Sequence, residues 1–257
     1  MTGSTGDTAA RLYSLLRQRA QAADQVDRFL LGINWTTAEL ASGSTGLCFS
    51  PVNPPRNIPW SGTLAGRPSR ELVEWVESED ASAVAVGLAT INAVINRPGN
   101  TLLRDATPLS FQKALHLSVF DHFAPQLSGA KVAIIGRYPE IDQFKSRFDF
   151  VCIERRPGPG DLPESAAETV LPQSDWVFIT ASSLANKTLP QLLHLSRDAK
   201  VVLMGPTMPW LAEWADFGVD YLAGVEVADV GRLRQIVAEA GGTRIFQEAV
   251  GYRVLAF

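Results

Sequence analysis

Side chains that ligate soft metals are scarce in this sequence: its 257 residues include two cysteines and three histidines. Cys48 and Cys152 lie in apolar segments far apart in the chain, the pattern of two reduced core thiols and not of a CxxC site. His116 and His122 are six residues apart, roughly 240° around a helix at 3.6 residues per turn, so they do not share a face. His194 stands among leucines. Direct ligation of a metal ion is therefore not expected. A GxSxG elbow and an HExxH motif are also missing, which removes the usual signatures of serine hydrolases and zinc peptidases. There is no basic stripe, and 23 basic against 27 acidic residues give a net charge of -4. Nucleic acid, which needs a cationic footprint, is excluded as a partner. The longest apolar stretch, 83–95, is short and broken by Gly87, Thr90 and Asn92, so no membrane span is expected. Residues 8–21 carry three arginines without the apolar block of a secretory signal, and a cytoplasmic protein is the expectation.

What the chain does have is the pattern of doubly buried strands. Four runs, KVAIIG (131–136), DFVCIE (149–154), DWVFIT (175–180) and KVVLMG (200–205), are rich in Val and Ile and do not alternate with polar residues. Parallel sheets bury both faces and produce such runs. Helical stretches over 139–148, 163–171, 188–197, 209–217 and 229–240 fill the gaps, with a further strand at 221–227 and an edge strand at 252–257. The first hundred residues are patterned differently. Strand material at 26–33, 34–41 and 47–50 predicts an antiparallel meander, and helices are expected over 68–78, 81–96 and 109–123. Between them, PVNPPRNIPW (51–60) carries four prolines and must be a loop or lid. The expected fold class is α/β: a small α+β domain over 1–105, followed by a mostly parallel α/β domain over 106–257.

In open α/β sheets ligands sit beyond the carboxyl ends of the strands. Those ends are Gly136, Glu154, Thr180 and Gly205. A dinucleotide fingerprint needs a second glycine where Arg137 stands, so tight NAD binding is not expected. Arg137 and the N-terminus of a helix starting at Pro139 could hold an anionic group; a plain surface role for Arg137 stays open. Glu154 occupies the position from which an acidic residue accepts hydrogen bonds from ribose hydroxyls, a feature shared by nucleotide enzymes and methyltransferases. TASSLANKT (180–188) supplies Thr180, Ser182, Asn186 and Thr188, some to cap a helix and some to meet a polar ligand. GPTMPW (205–210) adds Gly205, Pro206 and Thr207 in a rigid turn. Asn92, mid-helix among apolar neighbours, is either a satisfied structural amide or a residue turned into a cleft. In the proline-rich loop, Arg56 is read as directed at an anionic ligand, with Trp60 packing against the second domain or a partner subunit.

Taken together, LCFSP, GTLAG, GLATINAVIN, VAIIGRYP, IERRPGPGDLPESAAE, DWVFITASSLANKTLPQLL, MGPTMPW and FGVDYLAG resemble the uncharacterised proteins grouped as a "putative heavy-metal chelation" domain. The resemblance implies an enolase N-terminal-like unit, a Rossmann-like unit and a site in the cleft between them. It further implies a role in condensing or hydrolysing flavin-, pterin- or siderophore-like precursors of chelators. On matching segments it points to Asn92, Gly136, Glu154, Thr180, Asn186, Thr188, Gly205 and Pro206. Three readings stay open: an enzyme acting on a polar metabolite linked to metal chelation, a non-catalytic binder of a metal chelate or nucleoside-like ligand, and a methyltransferase-like protein using S-adenosylmethionine. The partner in each is a small molecule. A homodimer is compatible with all three.

Overall fold

The computed structural model describes residues 5–111 and 114–257. Near the N-terminus, β1 (Val26–Leu31), β2 (Trp35–Leu40) and β3 (Thr45–Phe49) form the expected antiparallel meander. The meander lies on the helix Ala81–Ile95, which is buried continuously from Ser82 to Ile95. A helix apolar all round has to be covered all round. Its start is fixed by Asp80, whose carboxylate accepts the Ser82 amide at 2.9 Å. β3 comes so close to this helix that a Cβ on Gly46 would stand 2.1 Å from Ala93 N and 2.2 Å from Ala89 O. Only a residue without a side chain permits that approach.

The larger sheet contains β4 (Thr107–Leu109), β5 (Val132–Ile135), β6 (Phe150–Glu154), β7 (Leu162–Pro163), β8 (Trp176–Thr180), β9 (Lys200–Met204), β10 (Tyr221–Val227) and β11 (Val250–Ala256). They lie in the order β4-β11-β10-β9-β8-β5-β6-β7. All pairings from β10 through β7 are parallel, while β11 runs antiparallel between β10 and β4. Burial on both faces explains three of the four apolar runs; β6, flanked on its outer side only by the two-residue β7, leaves Val151 exposed. Ala133, Ile135, Val177, Ile179, Val201 and Leu203 join a core continuous with that of the N-terminal meander and its helices. Val132, Ile134, Trp176, Phe178, Val202 and Met204 face the other way, onto Phe120, Phe123 and Leu127 of the helix Ser118–Leu127.

Four expectations need correction. The strand at the C-terminus is not an edge, because β4, which includes Leu109 from the expected helix and the unassigned Thr107 and Pro108, covers it. The helix follows only at Ser118; residues 112 and 113 of the expected stretch lie outside the described residues. After β5 no α-helix begins at Pro139: Glu140 takes a left-handed conformation (φ 63°) and a 3-10 segment, Ile141–Ser146, follows. Trp60, expected to pack against the second domain or a partner subunit, has its aromatic contact with Trp75, edge-on at 5.1 Å between ring centres, in the N-terminal part of the chain. Among the described residues no helix is long and apolar enough to cross a membrane.

Candidate functional site

The parallel part of the larger sheet begins at β5, builds outward through β6 and β7, and returns to the opposite side of β5 with β8. Ligand crevices of open α/β sheets form where the winding reverses in this way, at the carboxyl ends of the strands. A cavity of about 760 Å³ lies there. One side is made by the strand ends: Gly136 to Pro139, Glu154 to Arg156, Thr180, Ser182, Asn186, and Gly205 to Thr207. The other comes from the meander, through Asn34, Trp35 and Phe49 to Asn53. Three contacts hold the two sides together. Trp35 Nε1 donates to Gly242 O (3.0 Å), Phe49 N to Thr207 Oγ1 (2.9 Å), and, with the Asn53 amide turned to the orientation that satisfies both of its polar atoms, Arg156 Nη2 to the Asn53 side-chain oxygen (3.2 Å).

Glu154 and Arg137 do something other than what their positions suggested. One Glu154 oxygen accepts the Arg137 amide at 2.8 Å; the other accepts the amides of Arg155 and Arg156 at 2.8 and 3.3 Å. The carboxylate thereby clips the turn after β5 to the turn after β6. A carboxylate offers about four lone-pair sites, so little of it remains for a ribose. The Arg137 guanidinium is spoken for as well, paired with Asp142 and, at 2.8 Å, with Asp161, whose side chain is only 3% exposed. Arg155 reaches Glu164 at 3.5 Å. Of the three arginines lining the cavity, Arg156 alone has no carboxylate partner among the described residues.

At the end of β8, Thr180 and Ser182 share a hydrogen bond of 3.1 Å on the cavity wall. Gly136 (φ +94°) turns away from β5 beside them; a Cβ there would be strained and would press within 3.1 Å of Thr180 Cγ2. Asn186 also lines the cavity, but its oxygen accepts both the amide and the hydroxyl of Thr188, at 3.2 and 2.6 Å. Thr188 lies outside this cavity but lines a smaller neighbouring one of about 80 Å³ with Gly136, Glu154, Thr180, Ser182 and Asn186; it sits at the N-cap position of the helix Leu189–Leu195 without a side-chain cap bond. Arg56 is exposed and does not line the cavity, although Pro51, Val52 and Asn53 at the start of its loop do.

Asn92 resolves into a structural amide. Fully buried, it donates through Nδ2 to Leu47 O (2.7 Å) and Thr207 O (2.9 Å). Two further asparagines continue the row at helical spacing. Asn96 exchanges bonds with Met208 O (3.0 Å) and Trp210 N (2.8 Å), and Asn100 donates to Trp210 O (2.8 Å). Asn92, Asn96 and Asn100 thus form a ladder along one side of the helix and its exit turn, and it anchors the 207–210 turn. The i, i+4, i+8 spacing was the signal available in sequence.

The residues that sequence reasoning missed are mainly aromatic. Trp35, Phe49, Tyr138, Phe246 and Tyr252 wall the cavity, with Phe246 stacked on Tyr252 at 5.6 Å. Burial pushes the Tyr138 and Tyr252 phenols well above their ordinary range, so both are neutral hydroxyls. The Tyr138 hydroxyl lies beside Thr180 yet has no partner in hydrogen-bonding geometry. His116, expected on a helix, sits on a 3-10 turn, Leu115–Leu117, and lines the cavity with its Nε2 3.2 Å from Pro139 O.

Comparison with known proteins supports the resemblance read from sequence. Residues 118–256 match the family described as "Putative heavy-metal chelation" (DUF364), more than half of the chain. The chain belongs to this family. Residues 13–95 match a second family of the same description (DUF4213). The crystal structure of a DUF364 protein of unknown function from Desulfitobacterium hafniense is similar at a TM-score of 0.84 and 26% identity, over 98% of this chain and 99% of that one. Another from Pyrococcus horikoshii shares the fold, with a TM-score of 0.76 at 18% identity over 97% and 100%. An uncharacterized protein of Methanocaldococcus jannaschii is 28% identical over 191 residues, 70% of this chain and 68% of that protein. The description implies a heavy metal, but the side chains of this family member do not fit a resident ion. Among the described residues no group of three or more His, Cys, Asp or Glu could hold one, and both cysteines are free and buried.

Proposed function

We propose that this protein binds a planar, polar small molecule in the cavity between the meander and the strand ends, and acts on it as a metabolite linked to metal chelation. The carrying observation is the cavity's composition: aromatic walls, neutral hydroxyls and amides at the strand ends, and one arginine, Arg156, without a carboxylate partner among the described residues. Aromatic faces favour flat rings, hydroxyls and amides read polar edges without committing charge, and Arg156 suits an anionic substituent. About 760 Å³ lies within the ordinary size range for a metabolite site. In this reading any metal arrives already held by an organic chelator. Precursors of flavin-, pterin- or siderophore-like chelators, condensed or hydrolysed in the cavity, match this chemistry. An adenosyl ligand is less favoured, because the Glu154 carboxylate is taken up by three backbone amides. We further propose a domain division at 105/106; the two family matches, 13–95 and 118–256, lie on either side of it.

Thermal-shift measurements with flavins, pterins, catecholate chelates, S-adenosylmethionine and free metal salts test the reading, since a ligand that binds only the native state raises the melting temperature. Stabilisation by a planar heterocycle or a chelate, weakened by Arg156→Ala, is the expected result. Stabilisation by free metal alone or by S-adenosylmethionine alone would overturn it.

A further inference from the structure

The smaller chamber of about 80 Å³ beside the main cavity has no role in the planar-ligand reading. Gly136, Glu154, Arg155, Thr180, Ser182 and Asn186 line both spaces, so no more than one residue's thickness separates them. Gly136 adds no side chain to that boundary, where a Cβ would stand 3.1 Å from Thr180 Cγ2. Thr180, Ser182 and Thr188 are half-buried and Asn186 is exposed, and together they keep hydrogen-bonding capacity in both senses. The Thr188 N–H can only donate, so the Asn186 atom it meets at 3.2 Å is the oxygen, which also accepts the Thr188 hydroxyl at 2.6 Å. The Asn186 NH2 group is thereby turned away and has no partner among the described residues, while Thr188 Oγ1 has spent its proton and retains lone pairs. Thr180 and Ser182 use one proton in their mutual bond of 3.1 Å, which leaves the other hydroxyl proton of the pair free to donate. Between Asn186 and Thr188, Lys187 takes a left-handed conformation (φ 62°), and its Nζ donates to Ser78 O (2.6 Å) and Glu77 O (3.2 Å). The clip of Asn186 by Thr188 therefore sits on a turn fixed to the N-terminal part of the chain.

We propose that this chamber is a subsite for a short, uncharged, hydroxyl-bearing arm of the ligand whose ring occupies the main cavity. A hydroxyl both donates and accepts, which matches the free Asn186 N–H groups and hydroxyl proton on one hand and the Thr188 Oγ1 lone pairs on the other. An anionic arm is disfavoured, because Glu154 and Glu164 both line the chamber against one guanidinium, Arg155, which already stands 3.5 Å from Glu164. A water molecule's share of liquid volume is about 30 Å³, so the chamber has room for roughly three water-sized groups, a short chain and not a second ring. Thr188 is a positioning residue here: by occupying the Asn186 oxygen it decides that the amide presents donors to the arm. This assignment rests on the planar-ligand reading above.

The test uses the native full chain and three probes built on one ring: pterin without an arm, 6-hydroxymethylpterin with a short neutral arm, and 6-carboxypterin with an anionic arm of similar size. Calorimetry should find the hydroxymethyl compound bound about tenfold more tightly than pterin, the value of one hydrogen bond, and the carboxylate no more tightly than pterin. Ala167 and Thr188 line the chamber and not the main cavity. Ala167→Leu fills the chamber and should remove the hydroxymethyl advantage while leaving pterin affinity unchanged. Should that variant fail to fold, Thr188→Val at a half-buried position carries the same readout: Asn186 is released, the advantage falls and pterin binding holds. A Thr188 that served only the fold would lower the melting temperature and leave the ratio of the two affinities unchanged. Equal binding of pterin and 6-hydroxymethylpterin by the native chain, tighter binding of the carboxylate than of the hydroxymethyl compound, or an advantage that survives the variants overturns the subsite and leaves the planar-ligand reading standing. Failure of all three probes to bind also overturns the subsite, and failure of every planar heterocycle in the thermal-shift series overturns the planar-ligand reading with it.

Discussion

Replacing Glu154 by Gln should destabilise the fold before it affects any ligand. The carboxylate accepts three backbone amides, from Arg137, Arg155 and Arg156, and each of these N–H groups can only donate and needs an acceptor. A glutamine can keep its oxygen on Arg155 and Arg156, but its NH2 then faces the Arg137 N–H, donor against donor. One charge-assisted bond is lost, worth about 1.5 to 3 kcal/mol when fully buried, and the other two weaken from ionic to neutral. Glu154 is only half-buried, so water recovers part of this and a net cost of about 2 kcal/mol is expected. For a chain of this length that is a fall of about 4–8 °C in melting temperature. Hydrogen exchange at the Arg137 amide should accelerate along with it, since the turn after β5 loses its clip. Ligand affinity should drop as a consequence of that turn loosening, so an osmolyte that restores the fold should restore part of the binding. A melting temperature within about 1 °C of the native protein, with Arg137 exchange still slow, would refute the clip and return Glu154 to a direct ligand role.

Asn92→Ala leaves Leu47 O and Thr207 O without their buried donor and should cost about 1–3 kcal/mol for each carbonyl, read as a lower denaturant midpoint; an unchanged midpoint would contradict the ladder. Arg56→Ala should alter neither melting temperature nor binding of any ligand, because the side chain is exposed and outside the cavity; weakened binding in calorimetry would reinstate the lid. Burial pushes the Cys48 thiol up to about 12 and the Cys152 thiol up to about 11, so neither should react with a disulfide reagent at neutral pH until the protein unfolds. Because these folded values are raised, the stability the thiols contribute is complete below the unfolded value of about 8.5 and declines as pH rises from there, and fast labelling of the native protein would argue against burial. Zinc, nickel or copper should not remain at one ion per chain after dialysis against a chelator, and elemental analysis finding a retained stoichiometric ion would contradict the donor geometry.

The sequence by itself determined the parallel centre of the larger sheet and the meander, but not β4 or β7. Val- and Ile-rich runs at 131–136, 149–154, 175–180 and 200–205 are accommodated as parallel strands, covered on both faces in three of them and with Val151 left exposed in the second, and their ends meet around one crevice. The meander was equally legible, since short strands joined by polar turns pair with their neighbours. The site was legible only as a place. Gly136, Thr180, Ser182, Gly205 and Thr207 reach the cavity because strand register carries them there. Whether a side chain at such a place is free depends on what folds against it, and that information is spread over distant residues. Asp142 and Asp161 neutralise Arg137, the turn amides occupy Glu154, and Thr207 gives its carbonyl to Asn92, 115 residues away. The aromatic wall was invisible for the same reason: Trp35, His116, Tyr138, Phe246 and Tyr252 come from five separate stretches, each indistinguishable in sequence from ordinary core. Only the packing of the meander against the strand ends gathers them into a cavity, because that contact leaves their rings facing a gap that neither sheet fills alone.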